Sequence, residues 1–387
     1  MAKLPTPQEL VASRPAFPAQ SWLDYKPKFA PGSFCYPAKV ETMEKLHMPH
    51  PHSWDPAAED WNLPEGWEKI FCDAFHDRLK KHRSLKVFMD ICVRCGACAD
   101  KCQFFLGTND PKNMPVLRVE LLRSLYRRDY TMLGKLLGKT IGARKLDYSV
   151  IKELFYYAYQ CTECRRCSLF CPYGIDTAEI TALVREMLHE LGLGIHWIMD
   201  PVKNCAFTGN HLGIKPHSYK EIVEMLADDC EYVTGIRPKT PFNERGHEIL
   251  FICPSGDVFA DPGIYTFMGY LILFNELDLD YTLSTYASEG GNFGSFVSFN
   301  MAKKLNAKMY EEAERLGVKW ILGGECGHMW RVVNQYMATY NGPTPPNMQT
   351  PVSPITGTVF KNAAATKMVH IAEFEADLIK HNKLKLD

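Results

Sequence analysis

Two copies of one cysteine word constrain this chain more than anything else in it. The first is Cys92-Val-Arg-Cys95-Gly-Ala-Cys98-Ala-Asp-Lys-Cys102, and the second is Cys161-Thr-Glu-Cys164-Arg-Arg-Cys167-Ser-Leu-Phe-Cys171-Pro172. Both read C-x2-C-x2-C-x3-C, the run that wraps a [4Fe–4S] cube, with the fourth cysteine of each run serving the other cluster. Two-residue gaps let successive sulfurs reach three irons of one cube while N–H groups in the turns face its sulfides. The expected ligand sets are therefore Cys92, Cys95 and Cys98 with Cys171, and Cys161, Cys164 and Cys167 with Cys102. Zinc sites use two C-x2-C pairs, and the third cysteine in each word is surplus to that pattern. Disulfides need an oxidising compartment. The expected cofactors are two [4Fe–4S] clusters, and the expected core function is electron relay.

The rest of the composition narrows the setting. A chain of 387 residues has room for two or three domains. A formal net charge of −1 argues against nucleic acid as the main partner. The opening MAKLPTPQEL has neither an apolar h-region nor a twin-arginine signal. The longest apolar run, 264–274, is too short for a transmembrane segment. These features point to a cytoplasmic chain that meets a membrane through a partner. Of fourteen cysteines, eight belong to the two words. Cys35, Cys72 and Cys230 read as buried or incidental thiols, and Cys205 as a residue that lines either a cluster or a core.

Taken in order, the chain divides into an arm and two domains. Residues 1–65 are rich in proline and in large aromatics, which excludes a long helix or central strand and also disorder. Such an arm wraps a partner subunit or packs along its own domain. Residues 66–233 form a helical ferredoxin domain. A short helix leads into the first word, 116–159 is mostly helical, and Asp176-Thr-Ala-Glu179 is a capping box that opens a helix through Glu190. Basic residues between the words make either a solvated face or a dock for an acidic partner.

After a Pro- and Gly-rich linker the rhythm changes to strand–helix alternation over 248–387. Strands are expected at 248–252, 279–283, 318–322 and 367–371, and helices at 262–277, 294–316, 328–340 and 373–384. This predicts a small parallel sheet, with ligands gathered beyond the C-terminal strand ends. Cys253, Ser288-Glu289 and Cys326 all fall at such ends. Cys253, Cys326 and His328 are the candidate catalytic residues there. Glu325 and His328 flank Cys326 either as a proton relay or as structural hydrogen-bond partners. The fold class is α+β multidomain.

This second half resembles the CCG domain of the heterodisulfide-reductase D-like iron–sulfur family. The frame runs Cys253, thirty-four residues, Ser288-Glu289, thirty-six residues, Cys326, two residues, Met329. Ser288, Glu289 and Met329 stand where the family motif has cysteine. Two remaining thiolates argue against a noncubane cluster held by this half alone. GNHLGI at 209–214, GNFG at 291–294 and GGECGH at 323–328 are similar to the K subunit of the DsrMKJOP sulfur-metabolism membrane complex. The resemblance implies an oxidoreductase subunit at the inner face of the cell membrane, docked on a cytochrome-b-type subunit. It also implies exchange of electrons with a disulfide or trisulfide on a small DsrC-like protein. A noncubane [4Fe–4S] cluster is implied only with a second, intact CCG domain, expected beyond residue 387. The alternative is an iron–sulfur relay of a quinone-linked dehydrogenase of the glycerol 3-phosphate or lactate type, or of an Hmc-type complex, which share the cysteine words.

Overall fold

The computed structural model describes residues 63–289, 291–324 and 326–385. Nearly all of the arm expected over 1–65, together with Cys35 and Glu325, lies outside the described residues. The helical half contains α1 (Trp67–Lys81), α2 (Arg83–Ile91), α3 (Pro115–Tyr130), α4 (Met132–Leu137), α5 (Tyr148–Gln160) and α6 (Thr177–Glu190). Local chemistry sets their starts. Pro115 opens α3, where a missing N–H costs nothing. Asp147 accepts from the Val150 amide at the start of α5. Asp176 accepts from the Ala178 and Glu179 amides at the start of α6. The capping box at 176–179 is half used, because the Glu179 carboxylate takes a hydrogen bond from Ser84 of α2.

Helix α6 is the central element of this half. Every residue from Thr177 to His189 except Glu179 is buried. Leu183, Met187 and Leu188 pack with Leu122 of α3 and Val150 and Ile151 of α5 in one core. A helix buried on all sides is normally apolar throughout. This one carries Arg185, Glu186 and His189, so each of those must find a partner.

Those partners join it to the α/β half. That half contains α7 (His196–Thr208), α8 (Pro216–Thr234), β1 (Ile249–Ile252), α9 (Gly263–Glu276), β2 (Tyr281–Leu283), α10 (Phe299–Leu316), β3 (Trp320–Gly323), α11 (Gly327–Val332), β4 (Met368–His370) and α12 (Ile371–Lys380). Helices α7 and α8, expected within the helical domain over 66–233, pack here instead, Met199 and Val202 against Met301 of α10 and Tyr219 and Val223 in the core beneath the sheet. The four strands are all parallel, in the order β2-β1-β3-β4. Both faces of β1 are covered, as parallel sheets require. Ile249 and Phe251 face Phe267 and Phe274 of α9, while Leu250 and Ile252 face Met309 and Ala313 of α10. The helix expected over 294–316 begins only at Phe299, because Ser298 caps it by accepting from the Met301 amide. Residues 291–294 form a separate turn.

The junction between the halves is polar. The Glu186 carboxylate accepts from the Phe299 amide, 2.7 Å, at the N-terminus of α10, where a negative charge is favoured. His189 Nε2 lies 3.0 Å from the Phe296 carbonyl, which can only accept, so Nε2 carries the proton. The Tyr159 hydroxyl sits 3.0 Å from the same nitrogen. Burial, with Arg185 nearby, depresses the His189 pKa to about 4.

His189 is therefore neutral in the folded chain and stabilises it fully above its unfolded pKa of about 6.5. That stability is lost as pH falls through the window between about 6.5 and about 4. Relative to His189→Gln, wild type is expected to lose on the order of 2 kcal/mol between about pH 7.5 and pH 5 in urea unfolding. Parallel pH profiles for the two proteins would contradict this.

Candidate iron–sulfur site

The two cysteine words fold into loops of matching backbone shape. Arg94 and Gly96 in the first have φ of 58° and 78°, and Glu163 and Arg165, at equivalent places in the second, have 53° and 60°. Left-handed geometry costs a non-glycine residue roughly 1 kcal/mol, and such strain gathers at functional sites. Three of these four residues are not glycine. The repeated strain turns both loops around a centre rather than along a strand.

Each loop closes one hollow, and the fourth cysteines are exchanged. The first hollow is lined by Cys92, Cys95, Cys98 and Cys171, and the second by Cys102, Cys161, Cys164 and Cys167. Cys167 and Pro115 contribute to both, so the two hollows share a wall. The electrostatics group the thiols in the same way. Burial pushes the Cys98 thiol up, with Cys92 and Cys171 adding to it. Burial pushes the Cys167 thiol up to about 12, with Cys161 and Cys164 adding to it. Raised thiol pKa values mean that iron loading must displace protons.

A helix N-terminus faces each hollow. Pro115 at the start of α3 lines both hollows, Val116 of α3 and Thr177 of α6 line the first, and Ala178 of α6 lines the second. Both arrangements favour an anionic thiolate or cluster. Among the described residues no three Cys, His, Asp or Glu groups converge on the point a single metal ion would occupy. A cube does not require that, since its four thiolates bind four separate irons. The donor set, two groups of four thiols in partly buried pockets, fits a pair of [4Fe–4S] clusters.

The second loop is clamped to the α/β half by charge. Glu163 is buried and ion-paired to Arg185 Nη1 at 2.7 Å, with Arg331 Nη2 at 3.8 Å. Burial raises the Glu163 carboxyl, and Arg185, Arg331 and Arg165 oppose it. Arg185 also donates to the carbonyls of Ala158 and Cys161, and its guanidinium lies 5.1 Å from both the Tyr159 and Phe296 rings. Arg331 is carried by α11, the helix that follows Cys326. Arg165 reaches across to the Tyr336 ring at 4.7 Å while pairing with Asp176 at 2.9 Å.

At the sheet edge, Cys253 ends β1, and Gly324 and Cys326 follow β3. These strands flank the point where the strand order reverses, the usual ligand crevice of a parallel sheet. Cys253 is buried, with its Sγ 3.6 Å from Asp257 Oδ2, and a Cβ on Gly324 would lie 3.3 Å from that sulfur. Cys326 is half-buried at the N-cap of α11, while His328 is exposed on that helix.

Ser288 and Glu289, which the sequence reading set against the paired cysteines of the CCG motif, are occupied by polar contacts. The Gly209 carbonyl accepts from both their amides and from Ser288 Oγ. Glu289 Oε1 accepts from the His211 amide and lies 2.7 Å from His211 Nδ1, and the Ser255 hydroxyl donates to it. Tyr219 is buried beside Cys253, Glu289 and Ser288, and burial raises its pKa well above the ordinary value. The 209–214 loop is thus docked on the sheet edge where the family frame has two cysteines. His211, Ser255 and Tyr219 escaped the sequence reading because their partners are more than thirty residues away. Arg185 and Glu163 escaped it because they are twenty-two positions apart, beyond any local helical spacing.

Comparison with known proteins bears on this geometry. Residues 88–175 match the 4Fe-4S dicluster domain. An Hdr-like menaquinol oxidoreductase iron-sulfur subunit 2 of Archaeoglobus fulgidus is 50% identical over 344 residues, covering 85% of this chain and 62% of that protein. A corresponding iron-sulfur subunit of Archaeoglobus profundus is 49% identical over 350 residues, covering 86% of this chain and 63% of that one. A dihydromethanophenazine:CoB--CoM heterodisulfide reductase polypeptide of Methanosarcina barkeri is 29% identical over 107 residues, 27% of this chain and 25% of that one. No solved structure matches. The chain is a homologue of the Hdr-like iron–sulfur subunits and spans somewhat over six-tenths of the length of the two Archaeoglobus proteins.

Two outcomes test the site. Cys171→Ser is expected to alter the same reduced-cluster EPR signal as Cys95→Ser, and Cys102→Ser the same signal as Cys164→Ser; pairing by sequence order instead would contradict the crossed sets. Arg331→Gln removes a positive charge beside the second hollow only. It is expected to make one of two cluster potentials more negative and leave the other in place, and an equal shift of both would contradict the assignment.

Proposed function

We propose that this chain is an iron–sulfur electron relay in a quinol-linked, heterodisulfide-reductase-like membrane complex. The observation that carries the reading is the division of eight thiols into two adjoining hollows, the second of them tied by charge to the α/β half. Two [4Fe–4S] clusters held by these sets supply one-electron transfer, so two passages serve one two-electron disulfide reduction. The chain's own residues support one order of the path. The second loop, through Glu163, Arg165 and Arg331, is the one in contact with the α/β half and with the helix that carries Cys326. The first hollow is then the entry side.

The names of the Archaeoglobus relatives support menaquinol as the donor, oxidised by a membrane cytochrome-b-type partner. The acceptor in this reading is a disulfide or trisulfide on a small DsrC-like sulfur-carrier protein, within dissimilatory sulfur metabolism. Reduction of R–S–S–R to two thiols takes two electrons and two protons, which one quinol supplies. Cys253 and Cys326 border the acceptor site. A noncubane cluster enters only with a second CCG domain, because the Ser288 and Glu289 positions offer no thiolate and are already hydrogen-bonded. Among the described residues no helix is long and apolar enough to cross a membrane. In this reading the chain attaches at the inner membrane face through its partner subunits.

In the assembled complex, Cys95→Ser is expected to abolish quinol-driven disulfide reduction while the partner's b-type haem is still reduced by quinol. Retained disulfide reduction would overturn the relay assignment. A flavoprotein co-purifying in place of a b-type cytochrome would favour the dehydrogenase alternative.

A further inference from the structure

Four large aliphatic side chains project from the short helix α4. Met132, Leu133, Leu136 and Leu137 are 80, 63, 77 and 50% exposed. The helix is firmly seated. Thr131 caps it by accepting from the Gly134 amide and donates to the Arg127 carbonyl, 2.8 Å. Gly134 lies so close to that carbonyl that a Cβ would come within 1.8 Å of its oxygen. Helix α4 packs chiefly on α3 and on the 3-10 turn Gly138–Ile141 that follows, and among the described residues its outer face stays exposed. These side chains are held out in a fixed orientation.

The surroundings are basic. Residues 128–145 contain Arg128, Lys135, Lys139, Arg144 and Lys145 against a single acid, Asp129. Arg144 is paired with Glu153, but Lys135, Lys139 and Lys145 are exposed and form no ion pair among the described residues. Burial raises the Asp129 carboxyl, and Arg128 and Lys135 oppose it.

We propose that α4 is a membrane-surface anchor. Met132, Leu133, Leu136 and Leu137 enter the headgroup–acyl boundary of an anionic bilayer, and Lys135, Lys139 and Lys145 pair with lipid phosphates. Composition favours lipid over a protein partner. Protein interfaces are enriched in aromatics, methionine and arginine and depleted in lysine, whereas three of the four exposed apolar side chains here are leucine and the exposed cations without an ion pair among the described residues are Lys135, Lys139 and Lys145. Aliphatic insertion with a lysine fringe is the pattern of interfacial helices on anionic lipid, where the two attractions act together. No described helix crosses a membrane, so a contact made here lies in the interface plane. The inference does not rest on the electron path, since it concerns a surface away from both hollows.

The test is flotation of the iron-loaded full chain with vesicles of phosphatidylcholine alone or mixed with phosphatidylglycerol, at low and high salt. Wild type is expected to float with the anionic vesicles and to release them at high salt. The double variant Leu133→Asp/Leu136→Asp should bind about tenfold more weakly or worse, and Lys135→Gln/Lys139→Gln several-fold more weakly on anionic vesicles only. These side chains are exposed, so iron content and unfolding midpoint should match wild type. No flotation of wild type, flotation unaltered by the aspartates, or flotation only with vesicles carrying the membrane subunits would overturn the proposal. The last outcome would make the patch a protein contact.

Discussion

The buried pair of Arg185 and Glu163 is the interaction on which the rest of the structure depends. Arg185 projects from the most buried helix of the molecule, and Glu163 sits at a strained left-handed position inside the second cysteine loop. Removing one partner of such a pair leaves an uncompensated charge and typically costs about 3–5 kcal/mol. Here the same guanidinium also satisfies the Ala158 and Cys161 carbonyls, which end α5 and begin the loop. It rests against Phe296, just ahead of α10. One side chain thus fixes the shape of the loop, the end of the helix before it and the seat of the α/β half. The functional consequence is a cluster loop that is not free to move relative to the sheet it serves.

The C-terminal edge of the sheet is closed by hydrogen bonds. The crevice between β1 and β3 has the topology that gathers ligands, and Cys253 and Cys326 stand there. Glu289 is buried beside it, and a buried carboxylate must find donors. His211 and Ser255 supply them, and the Gly209 carbonyl takes up the adjoining amides. The result is a closed polar network that packs the 209–214 loop onto the sheet. Cys253 and Cys326 keep their places on either side of the crevice.

Much of this was legible because the signals were local. The spacing of the cysteine words yields both loops, and in the structure Cys171 lines the first hollow, Cys102 the second and Cys167 both. Alternation of short apolar runs with helices located all four strands to within a few residues. What stayed hidden depended on distant partners. No local pattern says that Glu179 would turn to Ser84 instead of closing its own capping box, or that Ser298 would delay α10 to Phe299. Buried charge is least legible of all. Arg185 reads as an ordinary basic residue of an amphipathic helix until Glu163, twenty-two positions earlier, is folded beneath it. The exposed leucines of α4 are the converse case, since the sequence shows an apolar run but not that nothing covers it.

The central claim is that this chain holds two adjoining cubes as an electron relay. Iron and acid-labile sulfide analysis of the anaerobically purified chain, with EPR of the fully reduced form, tests it most directly. The account predicts about eight irons and about eight sulfides per chain, with reduced-cluster signals broadened by magnetic interaction between two neighbouring centres. About four irons per chain, zinc in place of iron, or two signals that never interact would contradict it.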